Sequence, residues 1–266
     1  MLSWNTYAGS GTIEFRLLRA RVPATPWLRY AQWSPQGRTS FSDSHPNVHV
    51  EVDRIVSTEP FDGIEVRAPE TPFQALAFAT PAPARPSLPY LGDARILDVP
   101  ARSQYVVDGE RGWCSPTSLS MINAYFGIDY DVAATARAVF DRAYNGTGNW
   151  AFNVAFSGSL GLRAAVAYLR GLEDAQRLIE AGIPPAISYS WRDGELPGAP
   201  LEHSDGHLVV LRGFTASGDC AVNDPAHPQL RAVYPRAALE RIWQRGGGIA
   251  YVVAPAGLDY VSILNS

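Results

Sequence analysis

The sequence predicts an α+β fold: an all-β, sandwich-like N-terminal part followed by a second domain in which helices come first and a sheet later. Three observations predict it. Residues 1 to about 80 hold short runs of alternating polar and apolar residues separated by polar turns. Residues 80–93, "TPAPARPSLPYLGD", carry four prolines. Beyond them the apolar spacing changes from two to that of a helix, and then to continuous strand-like runs.

In chain order, "TIEFRLLRARV", "HVEVDRIV", "GIEVRA" and "FQALAFA" read as strands, with "SPQGRTSFSDSHPN" as a turn-rich separator. The aromatic residues Trp4, Trp27, Tyr30 and Trp33 suit either sandwich packing or a ligand platform, and packing is the commoner use. The proline-rich piece, taken as residues 81–93, reads as a stiff linker, because proline cannot join a central strand. Residues 94–266 form the second domain. "SPTSLSMINAYFG" places Leu119, Ile122 and Phe126 at helical spacing and stops at Gly127. "DVAATARAVFDRAY" is a helix capped by Asp131, and "NWAFNVAFSGSLG" and "LEDAQRLIEAG" are two more. Strands follow in "PPAISYSW", "GHLVVLRGF", "DCAVNDP", "LRAVYP" and "GIAYVVAP", interrupted by the helix "RAALERIW".

The 46% hydrophobic and 18% charged content is that of a globular chain. The net charge of -4, with arginine as the sole basic residue besides histidine, lacks the basic excess of a nucleic-acid binder. Two cysteines permit at most one disulfide, Cys114 to Cys220. No apolar run approaches the ~20 residues of a membrane helix, so the chain is not expected to span a membrane. No basic and then apolar leader opens it, which leaves a cytoplasmic location, or the cell envelope or exterior after loss of a leader.

Three polar residues of the second domain are hard to explain as packing. Cys114 stands at a helix start, His207 opens an apolar strand, and Asp224 closes another. A free thiol titrates near ~8.5, and a helix N-terminus and an imidazole both favour its thiolate. A carboxylate orients such an imidazole. Gln104, ahead of the cysteine in "VPARSQYVVDGERGWC", has an amide suited to an oxyanion, with the Cys114 N–H as second donor. Trp113 and Trp150 are candidate walls of the cleft, and "SYSWRDGELPGAPLEHS" is the candidate cleft-side loop. Each residue alone has an ordinary structural reading: a buried thiol, a turn histidine, a turn aspartate. In "HSDGH", His203, Asp205 and His207 raise a metal site as the rival, but Gly206 argues for a turn into a strand rather than one helix face. No metal or other cofactor is expected.

The pieces "GWCSPTSLSM", "GTGNWAFNVAFSGSLGL", "LIEAGIPPAISYSW", "DGHLVVLRGF" and "VNDPA", in this order, resemble the double-glycine (bacteriocin-processing) peptidase-like family of cysteine peptidases over roughly residues 95–255. The resemblance implies a papain-like domain with Cys114, His207 and Asp224 as its triad and Gln104 in the oxyanion hole. Two features depart from the pattern: Ser115-Pro116 follows the nucleophile where many members have glycine, and Gln104 lies about ten residues ahead of the cysteine, a longer gap than in papain-like enzymes. Family members that process bacteriocin leaders carry membrane and ATP-binding domains, so that substrate is not expected here. The N-terminal part looks like the β-rich module of stand-alone bacterial members. The expected activity is hydrolysis of an amide bond in a peptide or protein through a thioester. The alternatives are an acyl transferase or non-peptide amidase on the same triad, or a catalytically idle peptide- or cell-wall-binding protein. Oligomeric state is left open.

Overall fold

The computed structural model describes residues 1–69, 71–85, 90, 92–108 and 112–265. The expected linker at 81–93 therefore lies partly outside the described residues.

Among the described residues the regular elements of the first part are all strands: β1 (Leu2–Asn5), β2 (Gly11–Arg19), β3 (Val22–Pro23), β4 (Leu28–Ser34), β5 (Gly37–Ser40), β6 (Ser44–His45), β7 (Val48–Glu51), β8 (Arg54–Ser57), β9 (Gly63–Arg67) and β10 (Ala75–Phe78). They form a sheet of β3-β2-β4-β5 with β9 on β2, a three-stranded β6-β7-β8 sheet, and a β1–β10 pair. Alternation does the work. Ile13, Phe15 and Leu17 of β2 are buried with Leu28 and Tyr30 of β4 and Val48 and Val50 of β7. Trp4, Tyr30 and Trp33 are core residues, with Trp4 stacked on Trp33 at 5.4 Å, so packing accounts for them. "HVEVDRIV" is not one strand: it folds back as the β7–β8 hairpin through Val52 and Asp53, with Glu51 opposite Arg54.

The second part runs β11 (Arg95–Ile96), α1 (Cys114–Tyr125), α2 (Val132–Val139), α3 (Trp150–Ser159), β12 (Leu162–Tyr168), α4 (Leu172–Glu180), β13 (Ala186–Trp191), β14 (Ser204–Phe214), β15 (Cys220–Asn223), β16 (Arg231–Tyr234), α5 (Arg236–Arg245), β17 (Ile249–Pro255) and α6 (Tyr260–Asn265). One antiparallel sheet has the order β12-β17-β13-β14-β15-β16, with β11 added to β14. Both faces of its central strands are covered. Leu208 and Val210 of β14, with Tyr251 and Val253 of β17, meet Leu119 and Ile122 of α1 and Val154 of α3. Val209, Leu211, Ala250 and Val252 meet Leu178 of α4 and Leu239, Ile242 and Trp243 of α5. Burial on both faces is why these strands read as unbroken apolar runs.

The order is not strictly helices before strands, because β12 lies between α3 and α4. Its "LRAAVAY" is rich in alanine, a weak strand former, and its strand state is imposed by full-length pairing with β17. The second helix also ends earlier than its pattern suggested, at Val139, where Phe140 turns extended. Asp141 then anchors the loop: its buried carboxylate accepts from the Ser40 N–H at 3.0 Å and from Asn149 Nδ2 at 2.9 Å.

The two parts share a core. Helix α3 is buried all round, as a helix apolar on every side must be. Ala151, Phe152 and Ala155 face the N-terminal strands, while Val154 and Phe156 face the second part. Asn5 of β1 both donates to the Ala164 carbonyl at 2.9 Å and accepts from the Ala164 N–H at 3.0 Å, which ties β1 to β12. Among the described residues no helix is long and apolar enough to cross a membrane.

Candidate active site

Cys114 is the first residue of α1. Helices α2 and α3 open on capping side chains, Asp131 and Asn149, that accept backbone N–H bonds, whereas Trp113 at the start of α1 supplies none. The first N–H groups of α1 thus remain available to the thiol and to a ligand. Pro116, in the first turn, costs the helix nothing because its position needs no N–H. Ser118 Oγ donates to the Leu208 carbonyl at 3.1 Å, and Ser115 Oγ shares a 2.7 Å hydrogen bond with the Tyr251 hydroxyl, so the helix start is held against the sheet.

His207 and Asp224 reach the same place by strand alternation. His207 is two residues from Val209 on β14, and Asp224 two from Val222 on β15. His207 Nε2 and Asp224 Oδ1 are 2.8 Å apart and both residues are buried. The Cys114 thiol hydrogen-bonds the His207 imidazole. With Nε2 held by the carboxylate, Nδ1 is the nitrogen left to face Sγ. Asp224 also accepts from the Tyr234 hydroxyl at 2.6 Å and from the Ala226 N–H at 2.9 Å. The Trp191 and Tyr189 rings pack edge-to-face with the imidazole, their centroids 5.7 and 6.2 Å from its own, and help to bury it.

The electrostatics follow from these contacts. Burial alone pushes the Cys114 thiol up, but the hydrogen bond and charge of His207 and the Leu208 and Ser115 N–H groups outweigh it, and the thiol lies below its ordinary value. Burial pushes His207 down, and its bonds to Asp224 and Cys114 more than reverse this, so the imidazole holds its proton more tightly than a free one. Burial raises Asp224, and His207, Tyr234 and the Ala226 N–H bring it below the usual carboxylate range. All three shifts run in the direction that favours a thiolate–imidazolium pair beside a carboxylate. Cys220 is the contrast: both thiols are free, but Cys220 is wholly buried and burial pushes it up to about 12.

A cleft of about 690 Å³ opens over Cys114, within the ~300–1,000 Å³ common for ligand sites. Trp113 and Trp150 line it, together with Phe140 and Tyr144, whose rings are exposed. The β13–β14 connection contributes none of its lining between Arg192 and His203; the cleft is reached only by Ser188, Asp205, Gly206 and Leu208 of the flanking strands. In place of that loop stands the β7–β8 hairpin, Glu51 to Arg54, from the N-terminal strands. Gln104 is not among the lining residues. Its backbone N–H donates to the Pro225 carbonyl at 3.0 Å, and its buried side chain has an Oε1 with no partner among the described residues. Among the described residues no three His, Cys, Asp or Glu side chains converge as metal ligands do.

Sequence reasoning missed Tyr234, Trp191 and the hairpin. Tyr234 offers a signal in retrospect, since it pairs with Cys220 across β15–β16 and alternation puts it on the face of Val222 and Asp224. The hairpin offers none, because its nearness to Cys114 depends on how the N-terminal strands sit on α3.

Asp53, in that hairpin, gives a test of this seating. Its buried carboxylate accepts from the Trp150 N–H at 2.6 Å, and desolvation raises it from 3.8 to about 6. Between these values the folded protein binds a proton that the unfolded chain has lost, so stability falls as pH rises from ~4 to ~6 and levels off above. Asp53→Asn keeps an acceptor for Trp150 and removes the titration. Chemical denaturation at several pH values is expected to show the variant gaining on the wild type as pH rises, by on the order of 3 kcal/mol at pH 8. A constant difference between the two would contradict the burial of an ionised Asp53.

The sequence matches the Peptidase_C39 like family over residues 96–251. No curated protein matches the chain. Among solved structures, a Bacillus anthracis protein described as a C39-like peptidase has a TM-score of 0.46 and 20% identity, covering 61% of this chain and 98% of that one. A double glycine motif protease from an AMS/PCAT transporter, solved with its leader peptide, has a TM-score of 0.42 and 19% identity over 63% of this chain and 97% of its own. The peptidase domain of Streptococcus ComA, a bi-functional ABC transporter, has a TM-score of 0.41 and 16% identity over 58% and 97%.

Proposed function

The chain belongs to the Peptidase_C39 like family, and from that premise we propose that it is a cysteine peptidase, with Cys114 as nucleophile, His207 as acid and base, and Asp224 as the group that orients His207. The observation that carries this reading is the run of contacts from the Cys114 thiol, which lines an open cleft, to the buried His207 imidazole behind it and on to the buried Asp224 carboxylate. In the same reading the strand-rich residues 1–80 are a sandwich-like accessory module, 81–93 the connection, and 94–266 a papain-like catalytic domain.

The Cys114 thiolate attacks the carbonyl carbon of a peptide bond, and the carbonyl π pair moves to oxygen. The Cys114 N–H, at the uncapped start of α1, donates to that oxygen, and Gln104, which does not line the cleft but is held beside Asp224 through the Pro225 carbonyl, is the second donor that the family resemblance assigns. The oxyanion collapses, the C–N bond breaks, and His207 gives its proton to the departing amine. A water then attacks the thioester while neutral His207 takes its proton. The C–S bond breaks, the acid leaves, and the thiolate–imidazolium pair is restored. Trp113, Trp150, Phe140 and Tyr144 offer apolar faces to the substrate's side chains.

The test is the rate of iodoacetamide alkylation at Cys114 against pH. The wild type is expected to react with an apparent pKa well below ~8.5, and His207→Ala to return it toward that value. Cys220 stays unlabelled in both. A wild-type thiol that titrates as a free one would end the peptidase reading.

A further inference from the structure

The N-terminal strands do more than cover α3. We propose that the β7–β8 hairpin is a specificity-determining wall of the cleft, with Val52 and Arg54 contacting the peptide substrate and an apolar substrate side chain packing against Val52. This rests on the peptidase reading of Cys114.

Three observations carry it. The first is position: Glu51, Val52, Asp53 and Arg54 line the same cleft as Cys114 and Trp113. The second is fixity. Asp53 is buried, its carboxylate is bonded to the first N–H of α3, and its backbone carbonyl accepts from the buried Tyr30 hydroxyl. Glu51 and Arg54 close the hairpin by a cross-strand ion pair. The tip therefore has one position relative to Trp150, which also lines the cleft. The third is strain. Val52 has φ 57°, the left-handed region, as the first of two loop residues. Two-residue hairpins give such a position to glycine, and a β-branched residue is unfavourable there. Backbone strain of this kind gathers at ligand-contacting sites, where the surrounding structure holds it in place. Here the Asp53 anchor holds it, and the result is a half-buried valine side chain presented to the cleft. A glycine would serve the turn better and leave that wall without a side chain.

The test uses the full chain and a series of tetrapeptidyl chloromethyl ketones that differ only in having leucine or glycine at each position. Inactivation rate at Cys114 is divided by the iodoacetamide rate of the same variant, since iodoacetamide is too small to reach the hairpin. In the wild type one position is expected to prefer leucine. Val52→Gly is expected to shrink that preference about tenfold, the worth of one lost buried side-chain contact, while its Tm stays equal or rises as the strain is relieved. Arg54→Ala, whose side chain is exposed and outside the core, is expected to change the ranking as well. An unchanged preference in both variants would overturn the inference. An ordinary iodoacetamide profile in the wild type would instead remove the peptidase reading, and the leucine-to-glycine ratios would still report on the hairpin.

Discussion

Asp224→Ala is expected to lower hydrolysis of a peptide amide by about 10⁴-fold, with most of the loss in kcat. In the proposed mechanism the carboxylate fixes which imidazole nitrogen carries the proton and steadies the imidazolium while the thiolate is formed. In this protein it also has two other donors to satisfy, the Tyr234 hydroxyl and the Ala226 N–H, both in a buried setting. Removing it strands them, at ~1–3 kcal/mol for each buried group left unpaired. The variant is therefore less stable as well as slower, and the two effects need separating. Asp224→Asn keeps the volume and an acceptor for the neighbours. It is expected to recover much of the stability and little of the activity, because the amide cannot stabilise an imidazolium as a carboxylate does. Alkylation of Cys114 gives the independent reading: in both variants the thiol's apparent pKa moves up. Activity and thiol titration close to wild type would mean that Asp224 is only a turn anchor.

Trp4→Ala is expected to cost ~3–5 kcal/mol and to destabilise the second part along with the N-terminal strands. Trp4 is fully buried, stacks on Trp33, and packs edge-to-face with Phe152 of α3, the ring centroids 5.8 Å apart. Its ring thus joins β1 to the helix that also packs against Val139 and Val253 through its other face. The reporter is Cys220, far along the chain in β15 and with no exposure to solvent. Its labelling by a thiol reagent during thermal unfolding is expected to shift to lower temperature together with the loss of near-ultraviolet signal from the N-terminal tryptophans. A Cys220 that stays protected at the wild-type temperature would show that the two parts unfold independently.

Much of the fold was legible because local chemistry and tertiary demand agree. The helix stop at Gly127, the cap at Asp131 and the apolar runs of β14 and β17 all say in sequence what the structure does with them. Where the two conflict, sequence reading failed. β12 has the alanines of a helix and is a strand because it borders β17. "HVEVDRIV" alternates like one strand and bends at Val52, a residue no turn rule selects. Its bend is imposed by Asp53, which is drawn to the start of α3 nearly a hundred residues later.

The sequence by itself determined the chemistry on offer: a cysteine at a helix entrance, a histidine in an apolar strand, an aspartate just past the end of another, and enough apolar surface to bury them. Those are properties of residue type, order and period, and they need no knowledge of distant contacts. His207, expected to open its strand, is in fact three residues inside β14, because Ser204 to Gly206 extend the pairing beyond the apolar run. Only the tertiary structure decided what surrounds that chemistry. Tyr234 beneath Asp224, Trp191 beside His207, and the hairpin from the N-terminal strands in the cleft all depend on strand neighbours and on the seating of one part against another. Such contacts join residues from ten to nearly a hundred positions apart, and their energies come from burying shared surface, which has no period along the chain.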